Sequence, residues 1–390
     1  MVFLYCLEIP VRAVPALFLL ISLSFAAVTV ADSKAQSKTD SKTKVAYLGG
    51  FSSLSTGTVL TDLNLEKGLK IFIKMNPEVE KSIEFVRFDN QGEAANTALE
   101  AQKIVDQNIK FIIGVSKSNH ALVVAPLADE NKILFITPQA TNDKVTQNHP
   151  YVFRSCFSDL YQGRALAQFA TQNRKAKKIL IMTNVDTPYS LGLAQRFTEF
   201  VGDKAAITEM KYVPDSINVA EIKATVEKVK PDLVFIPDYV NTAVFLIKEF
   251  YKIDPKMLLV GGDGWGGREV LDPAIKPLIG LNAYYTTLWS QDLANPKNRK
   301  FVKVFASEYP GDPSSISAAT MYDALSIFWE SYKAVKGPKT PDAVRAKLLS
   351  TTFSTTSGKI SFPDPNNPTP KKRVVVNRLN EGKHELYDSY

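Results

Sequence analysis

A few positions in this chain place hydrogen-bonding side chains directly behind short apolar runs. Phe111 to Gly114 (FIIG) runs into Ser116, Lys117, Ser118 and Asn119, and Ile133 to Thr137 runs into Gln139, Ala140 and Thr141. Hydroxyls and amides in two such turns can hold a small anion, above all where a helix begins and offers free N–H groups. The spacing places Ser118 and Thr141 side by side, gripping a small carboxylate. A carboxylate of the chain's own occurs at Asp263, behind Met257 to Val260 (MLLV) and inside GGDGWGG. Glycines on both sides let the backbone approach a ligand closely. Asp263 then either holds a ligand ammonium or fixes its own turn through a side-chain hydrogen bond. Tyr189, in TNVDTPY, and Tyr239, in PDY, either wall a ligand or fill the core at strand ends.

The elements that carry these residues alternate. FIIG and ILFI are unbroken apolar runs of strand length, as in parallel strands covered on both faces. Between them Ala121, Leu122, Val124, Ala125, Leu127 and Ala128 recur at helical spacing, with Ser118 or Asn119 as the cap and Pro126 as the awkward member. Ahead of them the pattern predicts strands at Val45–Leu48 and Glu84–Phe88 and helices at Asp62–Met75 and Ala94–Gln107. Tyr151–Ser155 reads as the strand that leaves this first sheet. A second series follows, with strands at Ile179–Thr183, Ile207–Tyr212, Leu233–Ile236 and Leu258–Val260. Its helices are Leu160–Gln172, Gly192–Val201, Val219–Val229 and Thr242–Ile253. Ala283–Trp289 reads as a second crossing. Helices at Phe301–Tyr309, Ile316–Ala334 and Pro341–Leu349 and late strands at Lys359–Phe362 and Val374–Leu379 complete the chain. The fold class is therefore α/β, with two doubly wound parallel sheets in tandem and a ligand cleft where their strand ends face each other.

The 390 residues are 45% hydrophobic and carry a formal charge of +7, enough chain for two cores. Residues 1–31 stand apart: Arg12 precedes an apolar run from Ala13 to Val30, with Ala31 as the cleavage point of a secretory signal. An uncleaved anchor is the other reading of that run. Residues 32–43 are polar and low in complexity, a flexible leader. Removing the signal leaves Cys156 as the single cysteine, a small buried thiol in FRSCF. The basic clusters 174–178 and 371–373 lack interleaved aromatics, which argues against nucleic acid. Gly262 to Gly267 spells GxGxxG, but no acidic residue lies about twenty positions on to hold a ribose, so no dinucleotide cofactor is expected. GVSKS lacks the second glycine of a nucleophile elbow. The three histidines, His120, His149 and His384, and the cysteines form no metal-ligand spacing.

The ordered series KVAYLGGFSSLSTG, GVSKSN, ITPQAT, FRSCFSDLYQGRALA, DTPYSLGLA, PDY and GGDGWGG resembles the leucine/isoleucine/valine-binding protein family, the type I periplasmic binding proteins of ABC importers. The resemblance implies two Rossmann-like lobes joined by about three crossing segments, 44–157 with 288–355 and 158–287 with 356–390. It also implies a monomer of the periplasm, without catalysis or cofactor, that delivers a small zwitterion to a membrane permease and its ATPase. A ligand sensor on the same fold is the alternative, and an exported enzyme a more distant one. Matched by motif, Ser118 and Thr141 meet the ligand's α-carboxylate and α-amino group, Asp263 takes the ammonium, and Tyr189 and Tyr239 line the cleft. Thr61, Ser116, Lys117 and Ser317 stand where the family carries aromatic or apolar residues, and its lobe-one disulfide is absent. The pocket therefore looks more polar than one built for leucine, and Lys117 either meets an acidic ligand substituent or faces solvent.

Overall fold

A computed structural model describes residues 42–390 apart from 53–55, 267–274, 276, 313–314 and 381–382. The expected signal and nearly all of the leader lie outside these residues. Among the described residues no helix is long and apolar enough to cross a membrane.

The first sheet holds β1 (Thr43–Gly49), β2 (Ile83–Asp89), β3 (Phe111–Gly114), β4 (Leu134–Thr137) and β5 (Val152–Arg154) in the order β2-β1-β3-β4-β5, every pair parallel. Neighbouring residues along each strand enter different cores. Val45, Ile113 and Leu134 pack against α1 (Thr56–Met75), while Ala46, Ile112 and Phe135 pack against α2 (Ala94–Asp106) and α3 (Ser118–Glu130). Period-two burial on both faces is what makes these strands read as continuous apolar runs. The α1 side is completed by helices from later in the chain, α8 (Pro296–Glu308), α9 (Ile316–Ala334) and α10 (Pro341–Ser350).

The second sheet holds β6 (Lys178–Asn184), β7 (Ala206–Tyr212), β8 (Leu233–Ile236), β9 (Leu258–Gly261), β10 (Asn282–Thr287), β13 (Val375–Asn380) and β14 (Lys383–Ser389), in the order β14-β13-β10-β9-β8-β6-β7. Strands β6 to β10 are parallel, and β13 and β14 add an antiparallel edge. Helices α4 (Asp159–Gln168, widening into a π turn over Phe169–Asn173), α5 (Pro188–Val201), α6 (Val219–Val229) and α7 (Val240–Ile253) cover it. The two remaining strands, β11 (Phe353–Thr355) and β12 (Gly358–Ile360), form a separate hairpin.

Two expectations change. Ala283–Trp289 is not a crossing along its length: β10 pairs with both β9 and β13, and the chain leaves the second sheet only from Leu288 onward. Strand β14 had no clear sequence signal, because its segment KHELYDS mixes charge with isolated apolar residues at an exposed edge. Phe353 packs in the core of the first sheet, and so do Ile360 and Phe362, which lie beyond the boundary expected at 355. The chain thus passes between the sheets after β5, after β10 and after β12. Lys372, on the third passage, donates from Nζ to the Ser155 carbonyl on the first (3.1 Å) and to Ser357 Oγ (2.6 Å).

Helix α1 lies so close to α9 that a β-carbon on Gly68 would stand 2.4 Å from the Ala318 carbonyl oxygen. Helix propensity favours Gly→Ala by about 1 kcal/mol, but overpacking costs about 1–3 kcal/mol. Gly68→Ala is therefore expected to lower the urea midpoint of unfolding, and a raised midpoint would contradict this packing.

Candidate functional site

The loop after β3 is bent by unusual backbone: Gly114 has φ 149° and Val115 φ 48°. A β-branched residue rarely adopts such a conformation. Val115 is held there by its N–H, which donates to the Leu48 carbonyl (2.7 Å), and by its carbonyl, which accepts from Thr137 Oγ1 (2.9 Å). The bend delivers Ser116, Lys117 and Ser118 to a cavity of about 80 Å³ between the strand ends of the two sheets, room for several water molecules. Lys117, in extended conformation, is the cap residue of α3, with no side-chain cap bond, and Ser118 is the first helical residue. The expected Ser118 or Asn119 cap is therefore absent, because the helix begins one residue early. Ser118 Oγ instead accepts from the Asn142 N–H (3.3 Å), while its own N–H donates to Tyr239 Oη across the cleft (3.3 Å).

Thr141, in the turn after β4, lines the same cavity, as does Gln139, whose amide bonds Ser317 Oγ (3.3 Å). That turn is anchored from behind by Arg154, a buried side chain at the end of β5. Its Nη1 donates to the Ala140 carbonyl (2.8 Å), and its Nη2 to the Asn142 carbonyl (2.8 Å) and Thr146 Oγ1 (2.9 Å). Ala140 does not line the cavity, since its carbonyl belongs to Arg154 and its N–H donates to Thr137 Oγ1 (3.2 Å). Asn119 is half-buried and also does not line it.

From the second sheet come Tyr189, Tyr239 and Asp263. The tyrosine rings stack, with centroids 4.8 Å apart. Asp238, buried behind them, accepts from the Tyr239 N–H (2.7 Å), Tyr212 Oη (2.7 Å) and Asn184 Nδ2 (3.0 Å), which fixes the start of α7. Two glycines of GGDGWGG serve packing: a β-carbon on Gly262 would stand 2.3 Å from Tyr189 Oη, and one on Gly264 2.5 Å from Tyr189 Cε1.

Asp263 opens a 3-10 turn directly after β9. Its Oδ1 accepts from Gln162 Nε2 (2.8 Å) and Tyr189 Oη (3.0 Å), and its N–H donates to Gln162 Oε1 (2.8 Å). Thr286 Oγ1 also donates to Gln162 Oε1, so the orientation of the amide is set from both ends. Burial pushes the Asp263 carboxyl up to about 6, offset only by these hydrogen bonds and its own backbone, with no basic group among the causes. One turn earlier on α4, Asp159 accepts from the same Gln162 Nε2 (3.2 Å). Burial first, then repulsion by Asp263 and Asp143, raises its pKa well above the usual carboxylate range. The sequence reading missed Gln162, Asp159 and Arg154. Two polar residues that are buried, Asp159 and Gln162, lie three apart on one face at the start of α4, a spacing that was the available sign.

Two groups weighed for chemistry are quiet. Cys156 is buried, its thiol pushed up to about 12 by burial. His120 is buried on α3 rather than at the surface, bonded through Nδ1 to Thr97 Oγ1 (2.6 Å). Burial lowers its pKa to about 4, so it is neutral. Among the described residues no group of His, Cys, Asp and Glu could hold a metal ion.

An acid whose folded pKa lies near 6, against 3.8 for the free group, leaves stability intact below the lower value and diminishes it as pH rises through the upper one. Ligand-free Asp263→Asn, which keeps an acceptor for Gln162 and Tyr189, is expected to melt higher than the parent at pH 7.5. The gap should close as pH falls toward 4. Scanning fluorimetry across that range checks it, and a pH-independent gap would contradict the assignment.

A family model for periplasmic binding proteins matches residues 60–383. The leucine-, isoleucine-, valine-, threonine- and alanine-binding protein of Pseudomonas aeruginosa is 24% identical over 287 residues, covering 72% of this chain and 74% of that one. Leu/Ile/Val-binding protein homolog 3 of Brucella melitensis is 29% identical over 185 residues, which span 46% of this chain and 50% of that one. Among solved structures, the leucine-binding protein LivK of Thermotoga maritima superposes with a TM-score of 0.81 at 25% identity, covering 89% of this chain and 98% of that one. The Streptococcus pneumoniae branched-chain amino acid transporter substrate-binding protein LivJ, in complex with isoleucine, gives 0.79 at 22% identity, with 90% and 99% covered. A Rhodopseudomonas palustris ABC transporter solute-binding protein with benzoate gives 0.78 at 21%, with 90% and 96% covered. The match over most of its length, the two-sheet architecture and the cleft together place this chain in the periplasmic binding protein family, on its type I, leucine/isoleucine/valine-binding branch.

Proposed function

We propose that this protein is the substrate-binding component of an ABC importer, exported to the periplasm, and that it captures an amino acid or related small zwitterion. The observation that carries this reading is the polarity of one cavity. The Ser118 and Thr141 hydroxyls and the α3 amino terminus line it from one sheet, and Asp263 faces it from the other. A carboxylate fits the first set and an ammonium the second. A ligand bonded to both lobes shifts the population toward the closed arrangement, which a permease then recognises. The relatives' names, which speak of amino acid binding and ABC transport, support the same reading. This reading assigns the acid and the hydroxyls to ligand binding rather than to catalysis.

Thermal shift across the proteinogenic amino acids, followed by calorimetry on the hits, tests this. At least one amino acid should raise the melting temperature. Asp263→Ala should weaken its binding by about 2–5 kcal/mol, the cost of leaving a sealed charge without its partner. Unchanged affinity in that variant would remove Asp263 from the site, and silence across the whole panel would remove the zwitterion.

A further inference from the structure

Strand β7 ends the second sheet, and among the described residues it pairs only with β6. Its Ala206 N–H donates to the Lys177 carbonyl (2.8 Å) and its Tyr212 carbonyl accepts from the Val185 N–H (3.0 Å), both on the β6 side. Backbone groups alternate sides along a strand, so those of Ile207, Glu209 and Lys211 face outward. An open edge of this kind is a template for another strand unless proline or a bulge blunts it. The segment AITEMKY has no proline, and its register with β6 runs unbroken. Apolar residues also lie uncovered nearby. Val185, Val213 and Val219 are exposed, and a groove of about 260 Å³ beside β7 and the start of α6 is lined by Met182, Met210, Val213, Ile217 and Ile222.

The charges on the edge select the occupant. Glu209 and Lys211 project from the same face of β7, Nζ 3.7 Å from Oε2, both accessible to solvent. A second β7 laid antiparallel against the first sets outward-facing residues opposite one another only if the two-fold axis passes through a residue. An axis at Glu209 sets glutamate against glutamate, and one at Lys211 sets lysine against lysine; like charges directly opposite are destabilising. An axis at Met210 sets Glu209 of each copy against Lys211 of the other, and Ile207 against Val213. Met210 then faces its own counterpart on the α6 side, beside the groove.

We propose that β7 is an isologous interface, on which a second copy of this chain docks antiparallel about Met210, in place of the monomer that the resemblance implies. A self-complementary patch closes on itself after two copies, so the assembly stops at a dimer. This interface stands apart from the cleft and does not depend on what the cleft binds.

Analytical ultracentrifugation over rising protein concentration tests this on the parent, Lys211→Glu and Glu209→Lys, each first shown to unfold cooperatively. The parent is expected to reach twice the monomer mass. Each substitution should weaken association roughly tenfold or more, because symmetry turns one change into two like-charge pairs. An equimolar mixture of the two variants should regain the parent's association, since its facing charges are again opposite. Hydrogen exchange reads the same contact without a variant: the Glu209 and Lys211 amides should exchange more slowly as the parent's concentration rises. A parent that stays monomeric overturns the inference. So does a dimer indifferent to both substitutions, or a mixture that stays apart.

Discussion

A carboxylate turned toward a cavity, with no basic group offsetting its burial, is the constraint around which this site is built. Water solvates an isolated charge far better than a protein cleft does, and the cost appears at Asp263 as a carboxyl raised to about 6. The surroundings immobilise it rather than neutralise it. Gln162 holds both its side chain and its backbone N–H, Tyr189 adds a third bond, and Thr286 on β10 fixes Gln162 in turn. A cation entering the cleft meets an acceptor already oriented, so little ordering cost remains at the moment of binding.

The opposite wall is built by the same logic with the signs reversed. Arg154 pulls the carbonyls of Ala140 and Asn142 backward, leaving Thr141 turned to the cavity. The strained bend at Val115 brings the start of α3 to the same place. Among the described residues the direct bonds between the walls are polar, and they include Ser118 N–H to Tyr239 Oη, Asn142 Nδ2 to the Pro188 carbonyl (2.7 Å), Arg196 Nε to Asp143 Oδ2 (2.7 Å) and the Asp159 N–H to the Thr141 carbonyl (2.8 Å). Part-exposed bonds of this kind contribute little each. A ligand that joins the walls therefore has leverage over the open and closed populations.

Much of this was legible in the residues. FIIG, ILFI, LVFI and LLVG read as strands because both faces are covered, and the turns behind them marked Ser118, Thr141 and Asp263. What escaped lay in tertiary pairing. Gln162 looks like any helical glutamine until the fold brings it to Asp263, 101 positions away. Arg154, in FRSCF, is a surface type of residue that is buried because three oxygen acceptors converge on it. Strand β14 exists because β13 offers it an antiparallel edge, a preference set by its neighbour rather than by its own composition. Local pattern identifies which residues stand at strand ends; only packing decides which of them share a partner.

In the proposed binding mode a ligand ammonium settles against the Asp263 carboxylate. Such a contact must drive a proton off any carboxyl still protonated. Titrating the highest-affinity amino acid at pH 5.5, in two buffers of widely different ionisation enthalpy, measures that proton directly. Release of a substantial fraction of one proton, absent in Asp263→Asn, is the predicted result; heats that do not depend on the buffer would contradict it.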